Sequence, residues 1–134
     1  MRFFWAATAA VLLVSGAARA DSPAKQPEKG DAAVSVGIIC NTPQQAEQFV
    51  GYRKKGVAAE QAMRSVNATA RDQRACGVAA VAYVRDTTVD TMALENRLVQ
   101  IVRINIVAGF NGSDWQKVSD TVQYAVLDGE GESI

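Results

Sequence analysis

Two cysteines, Cys40 and Cys76, are the only ones in the chain, and each stands at a junction between an apolar run and a polar segment. Cys40 ends the apolar run Val34–Cys40, and Cys76 lies just before the run Val78–Val84. A disulfide between them would tie both ends of the intervening segment to one sheet. This pairing constrains the fold more than any other feature, provided that the chain reaches an oxidising compartment.

The first twenty residues have the layout of a secretory signal peptide. Arg2 supplies a positive charge, an apolar stretch follows, and Ala18-Arg19-Ala20 forms a small-residue cleavage motif. A membrane-spanning helix needs about 20 apolar residues, and Ser15-Gly16 interrupts this stretch too early. The alanine-rich style is typical of bacterial signals. We therefore expect residues 1–20 to be removed and the mature protein to be periplasmic or secreted.

The mature chain is short and nearly neutral. Removing the 20 signal residues from the 134 leaves 114, enough for one modest core. Arg2 and Arg19 leave with the signal, so 12 basic residues remain against 14 acidic ones, a net charge of −2. Nucleic-acid binding usually requires a basic domain or stripe, so we expect no nucleic-acid partner. We also expect no transmembrane segment after signal removal.

Three further boundaries follow from composition. Residues 21–33 contain Pro, Gly and several charges without apolar periodicity, which predicts a flexible leader. Residues 34–127 should form the single domain. Residues 128–134 should form an acidic tail.

The segment after Cys40 carries strong helix signals. Thr42 is a natural N-cap, Pro43 fits the first helical position, and Gln45 completes a capping-box pattern. Gly56 predicts the end of this helix. A second amphipathic helix follows, with one face predicted for Ala59, Ala62, Met63 and Val66.

The remainder of the chain is rich in strand signals. Residues 78–84 predict one strand, and the β-favouring residues after it should turn near Glu95-Asn96. The clearest strand covers residues 98–110, and the turn 111–114 leads to a last strand. We expect one face of the clearest strand to look inward. That face consists of Leu98, Val102, Ile104 and Ile106.

These elements predict an α+β fold in the order β-α-α-β-β-β. Successive strands joined by short turns must be antiparallel. The sheet should contain about four to five strands, with the two-helix segment packed on one face and one disulfide.

The two cysteines allow three interpretations. An even count in an exported chain favours a structural disulfide between Cys40 and Cys76. A thiol near a helix N-terminus could instead be a reactive nucleophile, because the helix dipole lowers its pKa. Cys40 precedes the cap at Thr42, however, and there is no C-x-x-C pair. The third possibility is two unpaired, inert thiols.

The sequence contains no recognisable catalytic constellation. It has no histidine, which excludes Ser-His-Asp and Cys-His catalysis and histidine-based zinc sites. It has no glycine-rich phosphate loop and no dinucleotide-binding fingerprint. A carboxylate hydrolase would need two acids in one pocket, but the acids are scattered. We therefore name no catalytic residue and expect no metal and no cofactor.

Two clusters are candidates for partner binding. Tyr52, Arg53, Lys54 and Lys55 form the densest basic cluster, which either neutralises a helix dipole or docks an anionic partner. Phe110 and Trp115 flank a turn, where they either pack on the fold or anchor an interface.

The order of these blocks resembles a group of uncharacterised small exported proteins of Gram-negative bacteria. The resemblance rests on Cys40 at a strand end, Ala75-Cys76-Gly77 before a strand, Trp115, and the terminal Gln123-Tyr124. It implies export, paired cysteines and a single domain, and no activity.

Small size and a rigidifying bridge favour a non-enzymatic binding or interaction module. Its partner would be an unknown protein or another component of the bacterial envelope. The alternative is a thiol-dependent redox protein that uses Cys40 with Cys76 as its resolving partner.

Overall fold

The computed structural model describes residues 32–128 and confirms the α+β fold and the predicted order of elements. The predicted signal peptide, most of the leader and most of the acidic tail lie outside the described residues. The elements are β1 (Ala32–Cys40), α1 (Pro43–Lys54), α2 (Ala59–Ala70), β2 (Cys76–Leu94), β3 (Arg97–Phe110) and β4 (Trp115–Asp128).

The four strands form one antiparallel sheet that closes on itself. Neighbours follow the chain order from β1 to β4, and β4 returns to β1 through the pairs Ile39–Ala125 and Cys40–Tyr124. The strands that are adjacent in sequence pair along most of their length. The closure gives the sheet an outer face and an inner face, each of which can bury side chains.

Helix α1 begins and ends where the local signals predict. The Thr42 hydroxyl accepts from the Gln45 backbone N–H at 3.2 Å, and the Gln45 side-chain oxygen accepts from the Thr42 N–H at 3.2 Å. This reciprocal capping box satisfies two backbone donors that the first turn leaves free. Gly56 follows the C-cap with a φ of 84°, a conformation that glycine adopts without steric cost.

Helix α2 packs beside α1 on the outer face of the sheet. Ala62 and Val66 are buried, and Ala59 and Met63 are partly buried against the same core, as the predicted face requires. The helix ends at Arg71, whose backbone is left-handed with a φ of 53°.

Strand β2 is longer than the sequence predicts. It runs for 19 residues because the β-favouring stretch after Val84 continues the strand instead of starting a new one. Register shifts between Arg85 and Asp90 bend the strand against β3. Such bulges increase the local twist and allow a long hairpin to wrap around a small core. The turn at Glu95-Asn96 follows, as predicted.

The sheet buries apolar side chains on both faces, whereas the sequence predicted one buried face. The helix-side core lies between the helices and the outer face. Its members include Ile38, Cys40, Phe49, Val50, Val66, Cys76, Leu94, Val99, Ile101 and Val126. The inner core lies within the closed sheet. Its buried members are Val81, Tyr83, Val102, Ile104, Ile106, Ala125 and Leu127.

This division corrects the prediction for β3. Val102, Ile104 and Ile106 do look inward, but Leu98 is 57% exposed. Val99 and Ile101, assigned to the opposite face, are fully buried under the helices. A single inward face was expected because only one core was expected, whereas closure of the sheet creates two.

Candidate functional site

The two cysteines form a disulfide that joins directly opposed residues of β1 and β2. Cys40 and Cys76 are 0% and 2% exposed, and both belong to the helix-side core. The bridge therefore lies under the helices, at the point where the helical segment leaves the sheet and returns to it.

Asn67, at the end of α2, fixes the backbone at one end of this bridge. Its Oδ1 accepts from the Cys76 N–H at 2.7 Å, and its Nδ2 donates to the Cys76 carbonyl oxygen at 3.0 Å. Nδ2 also donates to the Gln73 carbonyl oxygen at 3.0 Å. The side chain thus satisfies the first backbone groups of β2 much as a neighbouring strand would. Sequence reasoning missed this role because the two residues are nine positions apart.

Replacing Asn67 with alanine should lower the free energy of unfolding by about 1–3 kcal/mol. The change leaves backbone groups of Cys76 without partners in a part-buried position. Urea denaturation of the oxidised protein measures the effect. Asn41→Ala is the control, because the Asn41 amide makes a single long, exposed side-chain contact of 3.4 Å with Asp72. Equal stability of the two variants would contradict the assigned role.

The basic cluster at the end of α1 has mainly local contacts. Arg53 donates from Nη1 to the Val57 carbonyl oxygen at 2.9 Å, which closes the turn toward α2. The Lys55 ammonium lies 5.9 Å from the centre of the Tyr52 ring, and Tyr52 itself packs on the helix-side core. Arg53 and Lys54 also lie where cations complement the C-terminal helix dipole.

The aromatic pair marks the tip of the β3–β4 hairpin. Phe110 and Trp115 face each other across the strands with ring centres 5.4 Å apart, and they are 43% and 46% exposed. The turn between them is ordered by Asn111, whose Oδ1 accepts from the N–H groups of Ser113 and Asp114 at 3.0 and 2.9 Å. No described contact joins this tip to the basic cluster, so the two candidate clusters do not form one site.

The outer face of the sheet carries exposed apolar side chains beyond the reach of the helices. Directly opposed residues of an antiparallel pair share a face. Val34 pairs with Ala82, and Val36 with Ala80, on the same face as the buried pair Cys40–Cys76. The most exposed large side chains of this face, Val34, Val36 and Val78, are 67%, 61% and 60% exposed, and Val78 also borders the cavity described next.

The inner face carries an apolar cavity of about 370 Å³ that is broadly open to solvent. Its wall includes Ile39 of β1, Ala79 and Val81 of β2, Ile106 of β3 and Val118 of β4. Ile39 and Ala79 also pack on the inner core, so the cavity continues that core toward solvent. This volume lies in the range of small-molecule sites, about 300–1,000 Å³, which are mostly apolar with a few polar groups.

Polar groups occur at a few places on the cavity wall. Thr121 and Gln123 of β4 contribute two, and Arg74, in the loop before β2, contributes the cation. No carboxylate lines the cavity within the part of the chain that the structure describes. Its electrostatic character is therefore set by one guanidinium group.

The inner core beneath the cavity stays uncharged. Tyr83 is buried there, and desolvation raises the pKa of its phenol above the usual value, against the opposing effect of the Arg85 guanidinium. The phenol is therefore neutral near physiological pH. An apolar group that enters the cavity meets no buried charge from this side chain.

The hairpin that carries the aromatic pair also forms one wall of the cavity. Gly109 and Val118 line it, and Phe110 and Trp115 lie close by in sequence, at the tip. Gly109 pairs with Val81 on the inner face, so Phe110, the next residue of β3, points to the outer face. The aromatic contact therefore lies on the outer side of the hairpin whose inner side forms this wall.

Sequence reasoning did not identify the cavity. The space arises where small residues occupy inner positions of adjoining strands: Gly77 and Ala79 of β2 and Gly109 of β3 all line it. The inner-facing Gly37 pairs directly with Ala79. A run of small residues at alternate positions was the available signal, and it becomes meaningful only once the sheet is known to close.

No protein-family model matches the chain, and neither a curated protein nor a solved structure is significantly similar to it. Between residues 32 and 128 there is no group of three His, Cys, Asp or Glu side chains that could hold a metal ion. In the same range no helix is long and apolar enough to span a membrane.

Proposed function

We propose that this chain is a small exported binding module of the bacterial envelope that holds an apolar ligand group in the cavity of its closed sheet. One observation carries the proposal: the cavity is apolar, opens to solvent and continues the inner core. Burial of an apolar group there removes its surface from water at about 25 cal/mol per Å². The predicted export signal and the disulfide support a role outside the cytoplasm.

The bridge supports this function by holding the cavity wall in place. β1 and β2 both line the cavity, and the disulfide joins them at one end of their shared ladder. A preformed site loses less conformational entropy when a ligand binds than a site that must first be ordered. A rigid wall therefore favours binding by a domain of this size.

The alternative function, thiol–disulfide exchange, finds less support in the geometry. Exchange requires an attacking thiolate to reach one sulfur of the bridge. Cys40 and Cys76 lie under the helices and are almost completely buried. Their burial favours a permanent staple over an exchanging pair.

The proposal is tested with N-phenyl-1-naphthylamine, a neutral apolar probe whose fluorescence rises when it leaves water. We expect saturable binding to the folded, oxidised protein. Ala79→Leu should weaken this binding at least about tenfold, equivalent to about 1.4 kcal/mol, because the larger side chain fills the cavity. Fluorescence titration measures the dissociation constants, and circular dichroism checks the fold of each variant.

Ala80→Leu is the matched control. It makes the same change one residue along β2, on the outer face, where Ala80 pairs with Val36. It should leave the affinity unchanged. Val36→Thr keeps the shape of an exposed outer-face residue but makes it polar. Failure of the probe to bind, or loss of binding through Val36→Thr and not through Ala79→Leu, would refute the cavity as the site.

A further inference from the structure

We infer that the ligand of the cavity is an amphiphile with an anionic head, and that Arg74 binds that head at the cavity mouth. This inference rests on the proposed function and specifies the ligand class of the same site. Arg74 is the cation among the lining residues, and no described carboxylate faces it there. An apolar chain would lie along the inner face while its charged end stays near solvent.

The guanidinium of Arg74 is available for a ligand. No described hydrogen bond or ion pair engages it, whereas Arg53, Arg64, Arg85 and Arg103 each contact a protein oxygen atom. Arginine binds carboxylate and phosphate groups through two parallel N–H donors, which suits a planar anionic head.

The nearest acid along the chain is already occupied. Asp72 accepts from the Arg74 backbone N–H through Oδ1 at 2.8 Å and from the Asn41 amide through Oδ2 at 3.4 Å. Its carboxylate thus serves the loop and is not paired with the Arg74 side chain in the described contacts. Asp114, the acid at the tip of the β3–β4 hairpin, does not line the cavity either.

The loop that presents Arg74 is fixed at both sides. The Ala75 carbonyl oxygen accepts from the Asn41 N–H at 2.8 Å, and the Ala75 N–H donates to the Asp72 carbonyl oxygen at 3.1 Å. Ala75 is fully buried and is followed at once by the bridged Cys76. Arg74 therefore starts from an ordered backbone beside the mouth, so less conformational freedom is lost when it binds an anion.

The other hollows of the molecule give weaker support for a ligand site. The hollow of about 560 Å³ at the end of α2 has the Asp72 carboxylate on the same wall as its two arginines, and its Asn67 is committed to Cys76 and Gln73. The hollow beside Tyr52 and Lys55 lies on the helices, and its Lys55 ammonium already lies 5.9 Å from the centre of the Tyr52 ring. Of these three hollows within residues 32–128, the inner-face cavity is the one that joins an apolar wall to an unengaged cation with no carboxylate on the wall.

The inference is tested by displacement of bound N-phenyl-1-naphthylamine with three ten-carbon amphiphiles near neutral pH. Decanoate is anionic, decanol is neutral and decyltrimethylammonium is cationic. We expect decanoate to displace the probe at a concentration about three- to fivefold lower than decanol, the scale of a solvent-exposed ion pair. The cationic amphiphile should be the weakest. Added salt should reduce the preference for decanoate, because it screens exposed charges.

Arg74→Gln should remove the preference for decanoate while leaving the affinity for decanol unchanged. Arg71→Gln is the matched control, because Arg71 is an exposed arginine of the same loop that does not line this cavity. It should keep the preference. Equal displacement by decanoate and decanol, or a preference that survives Arg74→Gln, would overturn the inference. The proposed function would still stand in either case, because it depends only on binding of the probe.

Discussion

Removal of the Cys40–Cys76 bridge by a double substitution to alanine should lower the free energy of unfolding by about 4 kcal/mol. The bridge closes a segment with a sequence separation of 36 residues, for which the chain-entropy model gives this magnitude. Both residues are buried in the helix-side core, so the lost sulfur contacts act in the same direction. For a domain of this size the loss is a large share of the total stability.

Urea denaturation of the oxidised wild type and the double variant gives the difference. The wild type reduced with dithiothreitol is the control, because it keeps both sulfur atoms and lacks only the bond. It should lose most of the same free energy. A double variant within about 1 kcal/mol of the oxidised wild type would show that the bridge adds little to the packing around it.

Phe49→Ala should lower the free energy of unfolding by about 3–5 kcal/mol. Phe49 is 1% exposed and lies in the helix-side core between α1 and the sheet. Its removal costs the burial of the ring and leaves a cavity that the neighbouring side chains fill only in part. Thermal and urea unfolding of the oxidised variant measure the loss.

Phe110→Ala makes the same chemical change at an exposed position. The Phe110 ring contacts Trp115 at the hairpin tip and leaves no enclosed space when it is removed. The cost should stay below about 1.5 kcal/mol, the upper range for an aromatic pair. If the two variants lost equal stability, the assignment of Phe49 to the centre of the core would be wrong.

Local signals predicted the helices well. Thr42, Pro43 and Gln45 specify the start of α1 by hydrogen bonds that act within one turn, and Gly56 specifies its end through its own backbone. Such features need no knowledge of the rest of the fold. The turn at Glu95-Asn96 and the C-terminal ends of β1 and β3 belong to the same class, whereas β1 begins two residues before the predicted start at Val34.

Tertiary features were harder to predict from the sequence. Whether Leu98 or Val99 is buried depends on which face the helices cover, and a strand that is apolar on both sides does not reveal this. The hydrogen bonds between Asn67 and Cys76, and the cavity that Arg74 lines, depend on how segments far apart in the sequence pack together. The cysteines were the exception, because two residues allow one pairing.

The position of Asn67 has a consequence for the formation of the disulfide. Its side chain comes from the last turns of α2, yet it sets the backbone of Cys76 against β1. The pairing of β1 with β2 already opposes the two cysteines, and the docked helix adds two hydrogen bonds that hold Cys76 in that position. Docking of α2 and formation of the bond therefore favour each other, because both require the same placement of Cys76.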